Sequence, residues 1–235
     1  QSGLIAEISP SGLTAMTNPN LVDLRGVAVT DTGSGTAHAV AVGIAGTALE
    51  WVGNKWIKAT LPGFATLDDV VAMGDKVYLA IGGSQIFRRN ASGSWQLLGT
   101  VPGKLTSVER ISASDAIAVG ESGLAVQING GALKVETGAM GSLSALDVHA
   151  IAKDDIWAVG YSGVVAHFDG TDWQGAKSAA FANLNGVWAW TSDDVWAVGL
   201  AGTVMHYDGD KWSLFDAPKL DYHAVWGSDQ NDVYA

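Results

Sequence analysis

Two columns of residues in this sequence carry groups able to do chemistry, and both recur with a period near 39. The first column is His206, His167, Gln127, Arg88, Glu50 and Glu7. It alternates with apolar Val204, Val165, Ala125, Ile86, Ala48 and Ile5. An aromatic residue follows three of these positions: Tyr207, Phe168 and Trp51. A ring can stack on the apolar face of a sugar while His, Arg or Glu bonds its hydroxyls, the usual division of labour in a concave ligand site. Plain amphipathic patterning of a strand yields the same alternation. The second column, reached by ungapped counting, holds Trp188, Trp226, His149 and Glu109, with Ala28 at the same place in an earlier copy. Structural positions in a repeat stay alike, and this one changes character. Drift in a solvated channel would do that, and so would a set of side chains facing a ligand.

Catalytic motifs are missing. The chain has no cysteine, which removes a thiol nucleophile, thiolate zinc, iron–sulfur ligation and disulfide scaffolds. There is no nucleophile elbow, phosphate loop or dinucleotide fingerprint. A sialidase-like site needs several arginines to clamp a carboxylate, and Arg25, Arg88, Arg89 and Arg110 are all there are. No carboxylate pair stands out from its repeats. The five histidines lack metal-ligand spacing, and Asp154–Asp155 and Asp193–Asp194 lie in no twelve-residue calcium loop. The expectation is a non-enzyme without metal or cofactor. The net charge of −11 opposes a nucleic-acid partner, and no apolar run is long enough to span a membrane. The chain opens at Gln1 rather than methionine, which suggests a processed or excised form.

The elements that position both columns come from an internal repeat. Asp193-Asp194-Val195-Trp196-Ala197-Val198-Gly199 recurs as Asp154-Asp155-Ile156-Trp157-Ala158-Val159-Gly160, with weaker copies ending at Gly43, Gly82 and Gly120. Those glycines are 39, 38, 40 and 39 residues apart. A second pattern follows: His206-Tyr207-Asp208-Gly209 with Trp212, and His167-Phe168-Asp169-Gly170 with Trp173. In it the Asp serves turn amides, the Gly takes positive φ and the Trp packs. Tyr78, Trp157, Trp196 and Tyr234 are expected in the core. Each unit reads as four short strands, about 184–190, 193–199, 203–208 and 211–216 in the best copy. Four strands at a period near 40 predict an all-β fold, a β-propeller blade per repeat. The blades fall at about 21–63, 64–103, 104–141, 142–182 and 183–219. Residues 220–235 and 1–20 each supply half of a sixth, so one domain closes as a six-bladed propeller of four antiparallel strands per blade.

The unit Val187-Trp188, Val195-Trp196-Ala197-Val198-Gly199, His206-Tyr207-Asp208-Gly209 and Trp212 resembles bacterial propeller repeats related to the WD-repeat, Asp-box and tectonin groups. These are frequent in large secreted or lipid-anchored proteins of predatory soil bacteria. The resemblance is clearest over 142–235 and faded over 64–141. It implies the fold and leaves the function open. Tectonin-type relatives imply a lectin-like role on glycan or lipopolysaccharide, sialidase relatives imply hydrolysis, and photosystem assembly factors with similar repeats imply protein docking. The leading expectation is a monomeric, extracellular or envelope-bound lectin-like module with repeated shallow sites at the two columns. The alternatives are a protein-docking platform or assembly factor, a glycoside hydrolase, and an engineered or recently amplified propeller with no selected ligand.

Overall fold

The computed structural model describes residues 4–9, 12–19, 21–30, 37–63, 66–176, 178 and 180–235. Ser2, Gly3 and Ser11, expected in the amino-terminal half-blade, lie outside the described residues. The chain forms two compact units, residues 1–102 and 103–235. Each is built from antiparallel sheets whose strands follow one another in chain order.

The first unit holds a hairpin, Ile5–Ser9 with Gly12–Met16, and two four-stranded sheets. Sheet 1 comprises Leu24–Thr30, His38–Gly43, Thr47–Val52 and Lys55–Lys58. Sheet 2 comprises Asp69–Gly74, Val77–Gly82, Gln85–Arg89 and Trp95–Thr100. The second unit holds three such sheets and a hairpin. Sheet 3 is Leu105–Arg110, Asp115–Gly120, Ala125–Asn129 and Ala132–Glu136. Sheet 4 is Ala145–Ala152, Asp155–Gly160, Val165–Phe168 and Trp173–Ala176. Sheet 5 is Leu184–Thr191, Asp194–Gly199, Val204–Tyr207 and Trp212–Leu214. The carboxy-terminal hairpin is Trp226–Asp229 with Asp232–Tyr234. The predicted strands of the best copy agree with sheet 5 to within two residues. Three-residue 3-10 turns at Glu121–Gly123, Tyr161–Gly163 and Leu200–Gly202 join the second and third strands of sheets 3, 4 and 5.

The second strands are buried on both faces because sheets stack face to face. Val40, Val42 and Ala48 of sheet 1 pack against Tyr78, Ala80, Phe87 and Trp95 of sheet 2. Trp157, Val159 and Val165 of sheet 4 pack against Val195, Ala197, Met205 and Trp212 of sheet 5. Ile117, Val119 and Ala125 of sheet 3 meet Ile156, Ala158, Ala166 and Phe168 of sheet 4 in the same way. A strand covered on both sides has no solvent-facing residues to make polar, hence runs such as Ala-Val-Ala-Val-Gly.

The glycine that ends each second strand has a steric reason. A Cβ there would stand 1.9 to 2.1 Å from a backbone oxygen: Asp23 for Gly43, Thr66 for Gly82, Lys104 for Gly120, Ser144 for Gly160 and Asn183 for Gly199. The residue preceding the first strand crosses that glycine and takes a backbone bond from the next residue, as in Ile44 N–H to Asp23 O and Leu200 N–H to Asn183 O. The turn beyond it places Ser122, Ser162 and Ala201 at positive φ, a conformation non-glycine residues adopt at a cost. Their amides are taken up by the next connector: Ser122 by Ser144 Oγ, Ser162 by Asn183 Oδ1 and Ala201 by Asp221 Oδ1, at 3.1, 3.0 and 2.9 Å. The first strands of sheets 1, 3, 4 and 5 open with a β-bulge, and in sheets 1, 3 and 5 the bulged side chain reaches toward the element that follows. Thr106 donates to Ala145 O, Asn185 to Tyr222 O, and Arg25 pairs with Asp68.

Tyr78 and Trp157 are buried as expected, whereas Trp196 is half-buried and Tyr234 is 62% exposed. Tyr234 lies on a two-stranded hairpin, with no third strand beside it in its own unit to complete a face.

A methyl added at Gly199 must displace backbone, whereas at Gly175 it meets nothing within 4 Å. Gly199→Ala is expected to cost about 1–3 kcal/mol and Gly175→Ala to be neutral or slightly stabilising. Thermal unfolding of the two variants checks this.

Candidate functional site

Cross-strand register places the two columns side by side. Trp188, Trp196 and His206 oppose one another across sheet 5, and His149, Trp157 and His167 across sheet 4. Glu109, Ile117 and Gln127 do so in sheet 3, and Ala28, Val40 and Glu50 in sheet 1. In sheet 2 the turn Gly83-Ser84 is one residue shorter than Ile44-Ala45-Gly46, and Arg88 takes the column opposite Leu79.

Most of these side chains are engaged with partners on their own or the next sheet, and Glu7 and Trp226 are exposed. His167 Nε2 lies 2.7 Å from Asp155 Oδ1, with its ring stacked on Trp157 at 4.2 Å. His206 repeats this with Asp194 at 2.7 Å and Trp196 at 4.3 Å. Gln127 donates to Glu136 on its own fourth strand. The aromatics beside the column, Trp51, Phe168 and Tyr207, each pack on the fourth-strand tryptophan opposite: Trp56, Trp173 and Trp212. Tyr207 and Trp212 also face Trp157 of the preceding sheet at 5.2 and 5.7 Å. In the first-strand column, His149 donates to the Ala189 carbonyl of the next sheet, and burial holds its pKa below the ordinary value. Trp188 is buried with its ring over Gly227, where a Cβ would come within 2.5 Å. Glu109 and Arg88 are half-buried, Glu7 is exposed, and Trp226 is 60% exposed opposite Tyr234.

The Asp-Gly-x-x-Trp segments are turns. Asp169 Oδ1 accepts from the amides of Thr171 and Asp172, and Asp208 Oδ1 from those of Asp210 and Lys211. Those amide bonds lower both carboxyl pKa values, as hydrogen bonds to a charged form do. Gly170 and Gly209 sit at φ of 92° and 90°.

Sequence reasoning missed two clusters. Asp147 on the first strand of sheet 4 ties three sheets together: Ser107 Oγ of sheet 3 donates to Oδ1 at 3.0 Å and Val187 N–H of sheet 5 to Oδ2 at 2.9 Å. The other surrounds Glu50, between sheets 1 and 2. Arg89 Nε and Nη2 grip both carboxylate oxygens at 2.8 and 2.6 Å, and Trp95 Nε1 donates to Oε1 at 3.0 Å. Arg89 Nη1 also donates to the carbonyls of Lys76 and Asn90. Glu50, Arg89, Trp95, His38, Tyr78 and Thr30 are all at least nine-tenths buried. Burial pushes the Glu50 carboxyl up, but the bonds from Arg89 and Trp95 outweigh it and its pKa falls below the usual value. The signal available was spacing: Glu50 and Arg89 are 39 residues apart, one repeat.

Among the described residues, no group of three or more His, Asp or Glu side chains is arranged to hold a metal ion. Exposed apolar side chains mark one end of the second unit, where the strand two–three turns and the connectors lie: Leu143, Tyr161, Phe181 and Leu220, with Phe181 95% exposed. Gly163, in the turn of Tyr161, packs against Ala180, which sets Tyr161 and Phe181 on adjoining loops. The positions equivalent to Tyr161 are Glu121 and Leu200, so of these three turns one presents an aromatic ring.

The fold belongs to the β-propeller class of repeated four-stranded antiparallel sheets. Two solved structures are similar to this chain. One is described as YCF48 bound to D1 peptide, 17% identical, with a TM-score of 0.72 over 95% of this chain and 78% of that one. The other, YCF48 from Cyanidioschyzon merolae, is 17% identical, with a TM-score of 0.65 over 87% and 74%. No family model matches the chain, and no curated protein sequence does.

Removing one partner of the buried pair leaves a stranded charge. Glu50→Gln or Arg89→Met alone is expected to destabilise by about 3–5 kcal/mol, with the double variant recovering much of the loss. Denaturant unfolding of the three variants tests this. The folded Glu50 pKa is depressed, so its contribution is present above the ordinary value of 4.5 and lost as pH falls through the folded value. Wild type should therefore lose stability more steeply than Glu50→Gln below about pH 4.5.

Proposed function

We propose that this chain is a non-catalytic protein-docking module that receives an extended polypeptide segment on loops at one end of its sheets. The observation that carries the reading is the aromatic pair Tyr161 and Phe181 on adjoining loops, exposed and present at one of the three equivalent turns. A patch without repeat symmetry suits one partner at one place, whereas repeated shallow sites would suit several copies of a small ligand. The likeness in fold to a propeller that binds a peptide supports the same reading. The aromatic–polar pairs that would carry saccharide recognition are already engaged: His167 and His206 with aspartates, and Trp51, Phe168 and Tyr207 with fourth-strand tryptophans.

We further infer that the sheets are blades of a six-bladed propeller in which residues 220–235 and 1–20 share one blade. Both terminal pieces are two-stranded, and closure would remove the unpaired edges that such pieces leave.

Screening purified protein against a displayed-peptide library is expected to enrich segments with apolar side chains. Tyr161→Asp with Phe181→Asp should weaken the selected peptides about tenfold or more without changing the melting temperature. Unchanged affinity in that variant would dismiss the patch. Enrichment of nothing, with binding on a glycan array instead, would dismiss the docking reading. For closure, a circular permutant joining residue 235 to residue 4 through a short linker should melt at or above the wild-type temperature. Deletion of residues 1–16 should lower it sharply.

A further inference from the structure

The least expected group in the first unit is His38, buried on the second strand of sheet 1. A count of hydrogens favours one neutral form. Tyr78 has one hydroxyl proton, and the shortest of its contacts is to the His38 carbonyl at 2.7 Å. With the proton given there, the 3.0 Å contact between His38 Nδ1 and the Tyr78 oxygen is Nδ1–H donating. Thr30 Oγ1, 3.3 Å from the His38 carbonyl and 3.1 Å from the Tyr78 oxygen, adds a hydroxyl and takes no proton from the ring. That leaves Nε2 as a lone pair. It is buried without a hydrogen-bond partner among the described residues, 3.8 Å from Glu50 Oε2. Both Glu50 oxygens already accept N–H donors from Arg89, and Oε1 accepts one from Trp95.

We propose that His38 is an acid-operated latch between sheets 1 and 2, closed while the ring is neutral with its proton on Nδ1 and released when Nε2 takes a second proton. The proton comes from solvent, and no other bond is made or broken. Neutral His38 leaves one carboxylate matched to one guanidinium. Protonated His38 makes two buried cations share Glu50. Glu50 must either divide its bonds, weakening its grip on Arg89 and Trp95, or leave a cation uncompensated. Either outcome loosens the junction. The charged and titratable groups facing the ring are Glu50 on sheet 1 and Tyr78 and Arg89 on sheet 2. Lys76 and Asp75 lie in the sheet 2 turn between the first and second strands. Burial and the Arg89 charge push the His38 pKa below its ordinary 6.5, against the opposing pull of Glu50. The sign follows: the stabilising contribution is complete above pH 6.5 and is lost as pH falls through the depressed folded value.

The test is a nitrogen–proton correlation spectrum of the histidine rings in the full chain, followed downward from neutral pH until the His38 ring has titrated. The expected result is Nδ1–H at neutral pH and a His38 midpoint below 6.5. The Arg89 Nε–H and Trp95 indole signals should move with that same midpoint. An Nε2–H tautomer, a midpoint at or above 6.5, or Arg89 and Trp95 signals that do not follow it would overturn the proposal. A second arm compares wild type with His38→Gln. As pH falls from 7 through the His38 midpoint, the wild type should lose about 2–4 °C more in melting temperature than the variant, and equal losses count against the latch. Should the variant not fold, the ring spectra of wild type decide alone. They also separate His38 from His149, whose buried ring lies in the second unit.

Discussion

The whole arrangement depends on one close approach of backbone to backbone. At the end of each second strand, a glycine lies under the carbonyl of the residue that leads into the first strand of the same sheet. With no side chain there, the incoming connector can cross the strand end, bond to the residue beyond the glycine and begin the first strand with a bulge. The following turn then takes its two left-handed residues, and the next connector caps the exposed amide. A larger residue would push the connector away and break the link from one sheet to the next. The repeat is therefore conserved in geometry at a position where it contributes no packing of its own.

Between those fixed points the stacked faces are free to differ, and they do. At one place on the third strand the chain uses histidine held by an aspartate and an indole, in sheets 4 and 5. At the same place sheet 1 uses a carboxylate clamped by arginine from sheet 2. The fourth-strand tryptophan facing it changes role accordingly. Trp95 gives its N–H to Glu50, whereas Trp212, packed on Trp157, has no partner for its own among the described residues. One architectural slot thus carries either an aromatic stack or a buried ionic network.

Strands, their order within a sheet and the two columns were legible in the sequence, because each rests on a spacing within one repeat. Strand limits in the copy at 184–214 came within two residues, since the Val-Trp runs and Asp-Gly turns leave little latitude. What the columns touch was not legible, because it depends on the neighbouring sheet. Glu50 was visible as a polar residue on a strand, but Arg89 was masked by Arg88, which holds the column position through a turn shortened by one residue. Asp147 looked like one acidic residue among many until three sheets met at its carboxylate. The exposed Phe181 lies in a connector, where no period applies.

The ion pair between Glu50 and Arg89 also bears on how such a chain can grow or be rearranged. Repeats of this length are natural units for copying, but a copy of sheet 1 inserted elsewhere would carry a carboxylate into the core without its guanidinium. A copy of sheet 2 alone would carry the reverse. Sheets 1 and 2 must be inherited as a pair, while sheets 4 and 5 meet through rings, aliphatic side chains and a bond from the Val187 backbone N–H to Asp147, a donor that a copied sheet supplies whatever its side chain.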